Sequence, residues 1–362
     1  MDPRFLRTLE KSMGPEARFY NVVVRDAAGT PAAAAFLSLY SIDGILLAPP
    51  AWKTAVACLR RVWPSFLKFQ VLFCGCPVST GESHLRITTS ADPQAVLHEL
   101  DRLLMRVART SSTQFIVFKE FGPDQSTQTD YLTALGYVRA DSLPMNGFPP
   151  GFGSFDEVCA SFRSRYRNQI QHSRKKFGRS GLRVVHLRGG KGVDAFYTED
   201  VHRLYLAVLD RAQVKLECLP AEFFRELARQ FSDDAAFTLV YQEERIVAFM
   251  CGIFHENAYL NLFCGFDYEL NDATDLYFNL MCEDIDYALR QHAESIHVGQ
   301  TANEFKSRIG CFLEPRCFYV KARLSALQRL VRAGSHLLFP PVPLSAPRNL
   351  FREAPATSSN KS

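Results

Sequence analysis

Apolar and polar positions follow two different periods along the second half of the chain. Over residues 155–177 the apolar positions recur every three or four residues, which predicts one amphipathic helix. A strand is predicted over 182–187, and helical spacing returns over 200–211 and 221–231. Alternating segments separated by short polar breaks then predict a three-stranded antiparallel meander, over residues 237–242, 245–254 and 258–264.

The chain after the meander predicts one more helix and a strand–helix–strand unit. Thr274 is a candidate N-cap for a helix that runs to about His292. A strand over 295–298, a short helix that carries Lys306 and a strand over 317–321 follow. Lys306 is therefore expected just past a strand end, where open α/β sheets commonly place reacting groups.

The first half repeats this order in outline. Residues 19–25 and 33–41 resemble the hairpin strands, 93–109 the long helix and 114–119 the strand after it. Asp130 to Gly136 also matches Glu304 to Gly310 in residue type, with Leu132 at the position of Lys306. We interpret the match as a duplicated domain, with chance similarity over seven residues as the alternative.

The predicted fold is α+β, with two tandem domains that each hold a mixed, largely antiparallel sheet flanked by helices. The first domain is predicted over residues 1–150 and the second over 151–325. A C-terminal helix and a loose tail, rich in proline, serine and alanine from about Pro340, are predicted over 326–362.

Composition limits the classes of function. The formal charge of +4 is too small to indicate a nucleic-acid protein on its own. Ten cysteines show no zinc-type spacing, so no metal is predicted, and buried thiols are favoured over a catalytic cysteine. The N-terminus lacks the apolar core of a signal peptide, and no segment reaches the roughly 20 apolar residues of a membrane span. A cytoplasmic protein is expected.

Positive charge is concentrated in one segment. Residues 161–191 contain ten lysines and arginines and no acidic residue. A helix face that carries Arg163, Arg167 and Arg174 could bind phosphates of tRNA, coenzyme A or a nucleotide-linked acceptor. The alternative is a solvated helix face, although such faces usually mix both signs of charge.

Three groups of residues, taken in this order, resemble the FemAB-like and BioF2-like N-acyltransferases of the GNAT superfamily. They are the basic residues Arg167, Arg174, Lys175 and Lys176, the segment 262–269, and Gly299 with Lys306 and Gly310. The resemblance covers residues 155–323 well and the first half only by pattern. It implies tandem GNAT-like domains, the first degenerate and the second catalytic. It also implies transfer of an acyl or aminoacyl group to an amine acceptor, often in building cell-wall peptides, polysaccharides or lipids.

The resemblance and the chemistry of acyl transfer suggest roles for four residues. Lys306 would stabilise the oxyanion or hold a phosphate of the donor, the alternative being an exposed helix lysine. Asp267 or Glu269 would accept the amine proton, and Tyr319 would protonate the leaving group. The alternatives are solvated turn acids and a tyrosine that only packs in the sheet. Glu283 and Asp284 are predicted to form an exposed acidic helix face.

The donor is left open between two classes of molecule. Acyl-CoA is the leading donor. Aminoacyl-tRNA is kept as the alternative, because the junction 270–275 has no glycine and contains two aspartates that would repel the pyrophosphate of coenzyme A. The residues expected to hold the donor are Arg167, Arg174, Lys175, Gly265, Thr274, Gly299, Gln300 and Gly310.

A non-catalytic protein that binds an anionic ligand or a membrane surface is the alternative of a different class. The segment 324–339 carries several leucines with Arg329 and Arg332, which is compatible with peripheral membrane contact. A pure binding protein has no need of a base beside Lys306, so the acids near that lysine favour an enzyme.

Overall fold

One continuous sheet runs through the protein. The computed structural model describes residues 2–14, 17–44, 50–212, 218–344 and 348–352. Within these residues, twelve strands form a mixed sheet in the order β1-β2-β3-β5-β12-β6-β11-β10-β9-β8-β7, with β4 paired to β2. In chain order the strands are Ala17–Arg25, Pro31–Asp43, Lys68–Cys74, Leu85–Ile87, Phe115–Phe121, Val138–Phe148, Arg183–Arg188, Ala235–Gln242, Arg245–His255, Ala258–Phe266, Ser295–His297 and Phe312–Ala322.

Helices flank the sheet on both sides. In chain order, α1 to α15 are Pro3–Met13, Pro50–Arg60, Pro93–Thr110, Pro123–Thr129, Tyr131–Ala134, Phe155–Ser161, Ser164–Gly178, Val193–Phe196, Glu199–Arg211, Ala221–Phe231, Tyr268–Thr274, Leu276–Arg290, Asn303–Ser307, Ser325–Ala333 and Ser335–Leu338. The α+β fold with a mixed, largely antiparallel sheet is confirmed.

The two halves of the chain exchange their last strands. In the first half β3 runs parallel to β5, and in the second half β10 runs parallel to β11. Strand β12, the last of the second half, then pairs with β5, whereas β6, the last of the first half, pairs with β11. Strands β6 and β12 also pair with each other. The same arrangement in both halves supports the duplication, and the exchange means that a boundary near residue 150 does not separate two independent sheets.

Two of the predicted helices differ from the structure. The helix predicted over 155–177 ends at Ser161 and resumes at Ser164, because Phe162 takes extended backbone angles and is fully buried. The helix predicted from Thr274 begins instead at Leu276, since Thr274 ends α11 and Asp275 adopts a left-handed conformation between α11 and α12. Thr274 is thus not an N-cap. Its hydroxyl donates to the Leu270 carbonyl within α11.

Part of the predicted loose tail packs on the second half. Leu350 is 1% exposed, and the Phe351 ring lies 5.0 Å from the ring of Phe162 in an edge-on contact. The Leu350 carbonyl accepts a hydrogen bond from the amide of Arg163. Residues 345–347 and 353–362 of the predicted tail lie outside the described residues.

Candidate functional site

A cleft opens where two parallel strands diverge. Strand β10 pairs with β9 as far as Phe266, but it pairs with β11 only over 258–260, opposite 295–297. Beyond that point the chain after β11 turns away, and the register of β10 against β9 shifts between Asn261 and Phe263. The space left at the carboxyl ends of the two strands is a cleft of about 160 Å³ with largely apolar walls. This is where open sheets commonly bind ligands.

The side chain of Lys306 lies in this cleft and is buried. It is 3% exposed, which excludes the exposed-lysine alternative. Burial lowers the pKa of Lys306 to about 8. Among the described residues, none forms a hydrogen bond or salt bridge with Nζ. An amine on a largely buried side chain, with no partner in the described part of the chain, is costly to the fold, and such groups concentrate at functional sites.

Gly299 and the first half of the chain hold the segment that carries Lys306. Gly299 has φ of +80°, and a Cβ atom at this position would lie 3.5 Å from Lys306 Nζ, so glycine suits both the turn and the approach of the amine. From β6, Asn146 donates through its amide side chain to the Gly299 carbonyl at 2.8 Å and to Asn303 Oδ1 at 2.8 Å. Gln300 Nε2 donates to the Leu143 carbonyl at 2.9 Å. The exchanged strand thus positions the segment that carries Lys306.

Two cysteine thiols that interact electrostatically with Lys306, those of Cys264 and Cys311, are protonated. Burial raises the pKa of Cys264 to about 11 and that of Cys311 to about 12, although the lysine charge opposes both shifts. The thiolate is the nucleophilic form of cysteine, so neither residue is suited to attack a carbonyl near neutral pH. Cys311 is thus a buried thiol as predicted, whereas Cys264 is half-buried and lines the cleft.

The cleft contains titratable groups that the sequence analysis missed. Besides Lys306 and Cys264 its lining includes His297, Tyr205 and Tyr277, and no aspartate or glutamate is among the described lining residues. The Nδ1 atom of His297 is buried and has no hydrogen-bond partner in the described part of the chain. The position of His297 at the end of the strand before Gly299 was the available signal.

Asp267, Glu269 and Tyr319 are not brought to the cleft. Asp267 caps α11 through the amide of Glu269, and its carboxylate pairs with Arg245 at 2.6 Å. Glu269 is exposed in the first turn of α11. The hydroxyl of the fully buried Tyr319 donates to Asp130 at 2.6 Å, in the core of the first half. Because none of the three lines the cleft, we do not carry their predicted roles in proton transfer forward.

Three residues predicted to bind the donor are explained by packing or backbone conformation instead. A Cβ atom at Gly265 would come within 2.6 Å of atoms in Phe249 and in the backbone of α9, so this glycine permits close packing of helix on strand. Thr274 is buried within α11. Gly310 has φ of +102° and faces the ring of Phe162. None of these three residues lines the cleft. Gly299 and Gln300, which were also predicted to bind the donor, do line it.

The basic residues of α7 lie outside the cleft lining. Arg174 pairs with Asp156, and Lys176 pairs with Asp275 at 2.8 Å. Lys175 is exposed and Arg167 is half-buried. Phosphate binding by Arg167, Arg174 and Lys175 stays a prediction. Arg211, at the end of α9, lies nearer: its guanidinium is 3.7 Å from the ring centre of Tyr268, and the neighbouring Ala212 lines the cleft.

The prediction that Glu283 and Asp284 form an exposed acidic face is wrong for Asp284. Its carboxylate is fully buried and accepts hydrogen bonds from Asn261 at 2.7 Å, Thr238 at 2.8 Å and Tyr259 at 3.0 Å. Burial raises the pKa of Asp284, and the three donors oppose that shift. Since Asn261 lines the cleft, this network fixes β10 at the point where the strands diverge.

The lowered pKa of Lys306 predicts a pH dependence of stability. Between about pH 8 and pH 10.5 the unfolded chain holds a proton on this lysine that the folded protein has released. Stability therefore rises with pH across this window, by about 3 kcal/mol relative to a Lys306→Met variant. Urea unfolding of both proteins at intervals across the window measures the difference. A Lys175→Met control removes an exposed lysine, and an equal trend in that variant would contradict the prediction.

The sequence matches one family model over most of its length. The FemAB-like family, described as peptidoglycan biosynthesis/recognition, matches residues 48–317. The chain belongs to the FemAB-like family. No curated protein is significantly similar to it in sequence. Membership supports a transferase in cell-envelope biosynthesis.

Solved structures share the fold at low sequence identity. FemX is 13% identical with a TM-score of 0.54, and the alignment covers 91% of this chain and 93% of FemX. A tandem GNAT protein from the clavulanic acid biosynthesis pathway is 13% identical with a TM-score of 0.54, over 90% and 89% of the two chains. The C-terminal domain of a putative lysylphosphatidylglycerol synthetase from Agrobacterium fabrum is 12% identical with a TM-score of 0.52, over 94% and 93%. The tandem GNAT fold is thereby confirmed.

Proposed function

We propose that this FemAB-like protein transfers an acyl or aminoacyl group from an activated donor to an amine, with Lys306 as the residue that stabilises the transition state. The observation that carries the proposal is the buried side chain of Lys306 at the carboxyl ends of two diverging strands, whose amine pairs with no described residue. With a pKa of about 8, Lys306 is mostly protonated at neutral pH and offers a positive charge that no carboxylate of the described cleft neutralises.

The reaction requires negative charge to develop on the carbonyl oxygen of the donor. Attack by the amine nitrogen forms a C–N bond and moves an electron pair onto that oxygen. A charged N–H donor held in a dry site stabilises this oxygen without having to reorganise, which is often the largest single contribution to such catalysis. The cleft wall also holds the two reactants together and removes part of the entropic barrier.

One further group of the cleft serves the proton transfers in this proposal. The attacking nitrogen loses a proton to the imidazole of His297, which lines the cleft. The carbonyl oxygen then returns its electron pair, the bond to the leaving group breaks, and the leaving atom takes that proton from the imidazolium. Burial raises the pKa of Tyr277 well above its ordinary value, so this phenol stays neutral and is a poor acid for the step.

Acyl-CoA is the leading donor in this proposal. Beyond residue 260, the edge of β10 that faces the cleft has no strand partner among the described strands, so its backbone groups suit an extended arm that carries amides. The largely apolar walls suit a thioester. Arg211 is the candidate partner for phosphates at the mouth of the cleft.

An aminoacyl-tRNA donor is the second candidate, and one feature favours it. The N-terminus of α11 follows β10 directly, and the amide of Glu269, the second residue of this helix, is already bonded to the Asp267 carboxylate at 3.0 Å. A pyrophosphate at this point would meet negative charge instead of free amides. The family description, peptidoglycan biosynthesis/recognition, is compatible with either donor.

The amine acceptor would enter from the side formed by the first half. Ser79, Thr80 and Met145 of that half line the cleft together with the second half. Lys119 fixes this segment, since its Nζ donates to the Cys76 carbonyl at 3.1 Å and to Ser79 Oγ at 3.2 Å. We propose that the acceptor is an amine of a cell-envelope precursor. None of the described helices is long and apolar enough to cross a membrane, and a cytoplasmic location stays a prediction.

Thermal unfolding with candidate donors tests the proposal. Acetyl-CoA, longer acyl-CoAs, free coenzyme A and charged tRNA are added separately to wild type and to Lys306→Met. A ligand at about 100 times its dissociation constant stabilises the fold by roughly 2.7 kcal/mol, which is a measurable shift. Stabilisation by acyl-CoA supports the leading donor, and stabilisation by charged tRNA alone supports the second. If no donor stabilises the protein, the transferase proposal fails in favour of a binding protein.

A further inference from the structure

We propose that one end of the sheet docks on the surface of an anionic lipid membrane. Two segments form this end surface: residues 59–68, between α2 and β3, and residues 324–344, which include α14 and α15. Eight of the eleven large apolar side chains that the described residues expose lie in these segments: Leu59, Val62, Trp63, Leu324, Leu330, Leu337, Leu338 and Leu344. Single exposed apolar residues are ordinary, whereas such a concentration marks an interaction site.

The sheet brings the two segments together. Val71, the fourth residue of β3, pairs with Phe115, the first residue of β5, and Ala322, the last residue of β12, also pairs with Phe115. Neighbouring strands are about 4.8 Å apart, so Val71 lies roughly 10 Å from Ala322. The ring of Phe115 contacts Phe69 at 5.3 Å and also packs with the core beneath α14. Both segments therefore leave the same end of the sheet.

The helix α14 exposes a leucine on the side that faces away from the core. Its Val331 is 4% exposed and packs on β12, whereas Leu330, on the outward side, is 68% exposed. Leu337, on the next helix, is 87% exposed and has the largest exposed fraction of the group. Arg329 and Arg332 flank Leu330 and are exposed. Leucines that point outward between arginines are the pattern of a helix that lies in a membrane interface, where the arginines reach the headgroups.

The charge of the surface selects the kind of lipid. Residues 59–68 contain Arg60, Arg61 and Lys68 and no acid, and residues 315–352 contain no aspartate or glutamate. Arg60 is neutralised by Asp43 at 2.6 Å, which leaves Arg61, Lys68, Arg329 and Arg332 as exposed cations. The carboxylates that contact the two segments are Asp43, paired with Arg60, and Asp141, which accepts from the Val342 amide at 3.4 Å, so the exposed cations are in excess. A surface that combines apolar side chains with an excess of cations is complementary to anionic headgroups over an acyl layer.

Vesicle binding followed by tryptophan fluorescence tests this inference. The chain has two tryptophans, Trp52 and Trp63, so a Trp52→Phe protein reports on Trp63 alone. Vesicles of phosphatidylcholine with phosphatidylglycerol are expected to shift Trp63 emission to shorter wavelengths, and pure phosphatidylcholine vesicles to have much less effect. Raising the salt concentration should weaken the binding, because exposed charges are screened.

Surface variants identify the residues that dock. A Leu330→Glu/Leu337→Glu protein should bind the anionic vesicles more than about tenfold less tightly, and Arg329→Gln about fivefold less tightly. Val23→Glu is the matched control, since Val23 on β1 is 53% exposed and lies away from this end surface. Unchanged vesicle binding in the double variant, or an equal loss in the control, would overturn the inference. A concentration-dependent dimer that binds no vesicles, and that the double variant abolishes, would identify a second copy of the chain as the occupant instead.

Discussion

Lys306→Met should lose about two to three orders of magnitude in turnover, because it removes the charged donor that faces the developing oxyanion. Methionine has a similar length and no charge, so the variant refills the buried space and relieves the cost of burying an amine. The fold should therefore be at least as stable near pH 7 as that of the wild type. Steady-state transfer with the donor found by thermal unfolding, together with urea unfolding, measures both quantities.

The neighbouring Arg308 provides the control for this prediction. It lies at the end of the same short helix, but it is exposed and pairs with Glu304 at 3.0 Å. Arg308→Met removes a positive charge from the same part of the protein without touching the cleft. A turnover in Lys306→Met close to that of Arg308→Met would show that Lys306 does not stabilise the transition state. If Lys306→Met weakens donor binding and leaves turnover unchanged, Lys306 acts instead by binding the donor in the ground state.

The position of Lys306 could be predicted from the sequence, but its burial could not. The strand-like segment 295–298 and the glycine after it indicated a lysine just beyond a strand end. The burial depends on partners that are distant in the chain. Asn146 holds the Gly299 carbonyl from 153 residues away, and α9 and the segment at Ser79 form walls of the cleft. Local periodicity contains no information about these contacts.

The exchange of the final strands could not be predicted from the sequence for a related reason. The matching segments 130–136 and 304–310 indicated a duplication, and in that sense the two halves were predicted correctly. Because β6 and β12 occupy equivalent places in their own halves, either could complete either sheet by pattern alone. The observed pairing of β12 with β5 and of β6 with β11 is decided by long-range packing and not by local sequence. It also explains why Asn146, a first-half residue, supports the second-half site.

The predicted acids failed for a different physical reason. Asp267 directly follows the last residue of β10, but the chain turns into α11 at that residue, and its carboxylate is used to cap the helix. Asp284 was missed because its three donors come from β8 and β10, 23 to 46 residues away in the chain. An acidic residue on a helix is exposed by default, and only the sheet that packs against α12 reverses that expectation.

Asp284→Ala should destabilise the protein by about 3 kcal/mol, because three buried donors lose their acceptor at once. Asp284→Asn should cost less, since it keeps an oxygen for the hydroxyls of Thr238 and Tyr259. Glu283→Ala is the matched control on the same helix: its side chain is 30% exposed and its nearest ionic contact, His186, is 3.9 Å away. The control should change stability by no more than about 0.5 kcal/mol.

The same variant tests whether the buried network supports the cleft. Asn261 lines the cleft and donates to Asp284, so its side chain loses this carboxylate partner in Asp284→Ala. At a temperature where the variant is still folded, donor binding should weaken more than in a comparably destabilised variant in the core of the first half, such as Leu97→Ala in α3. Equal donor affinity in the two variants would confine Asp284 to a structural role, and a stability equal to that of Glu283→Ala would contradict the energetic prediction itself.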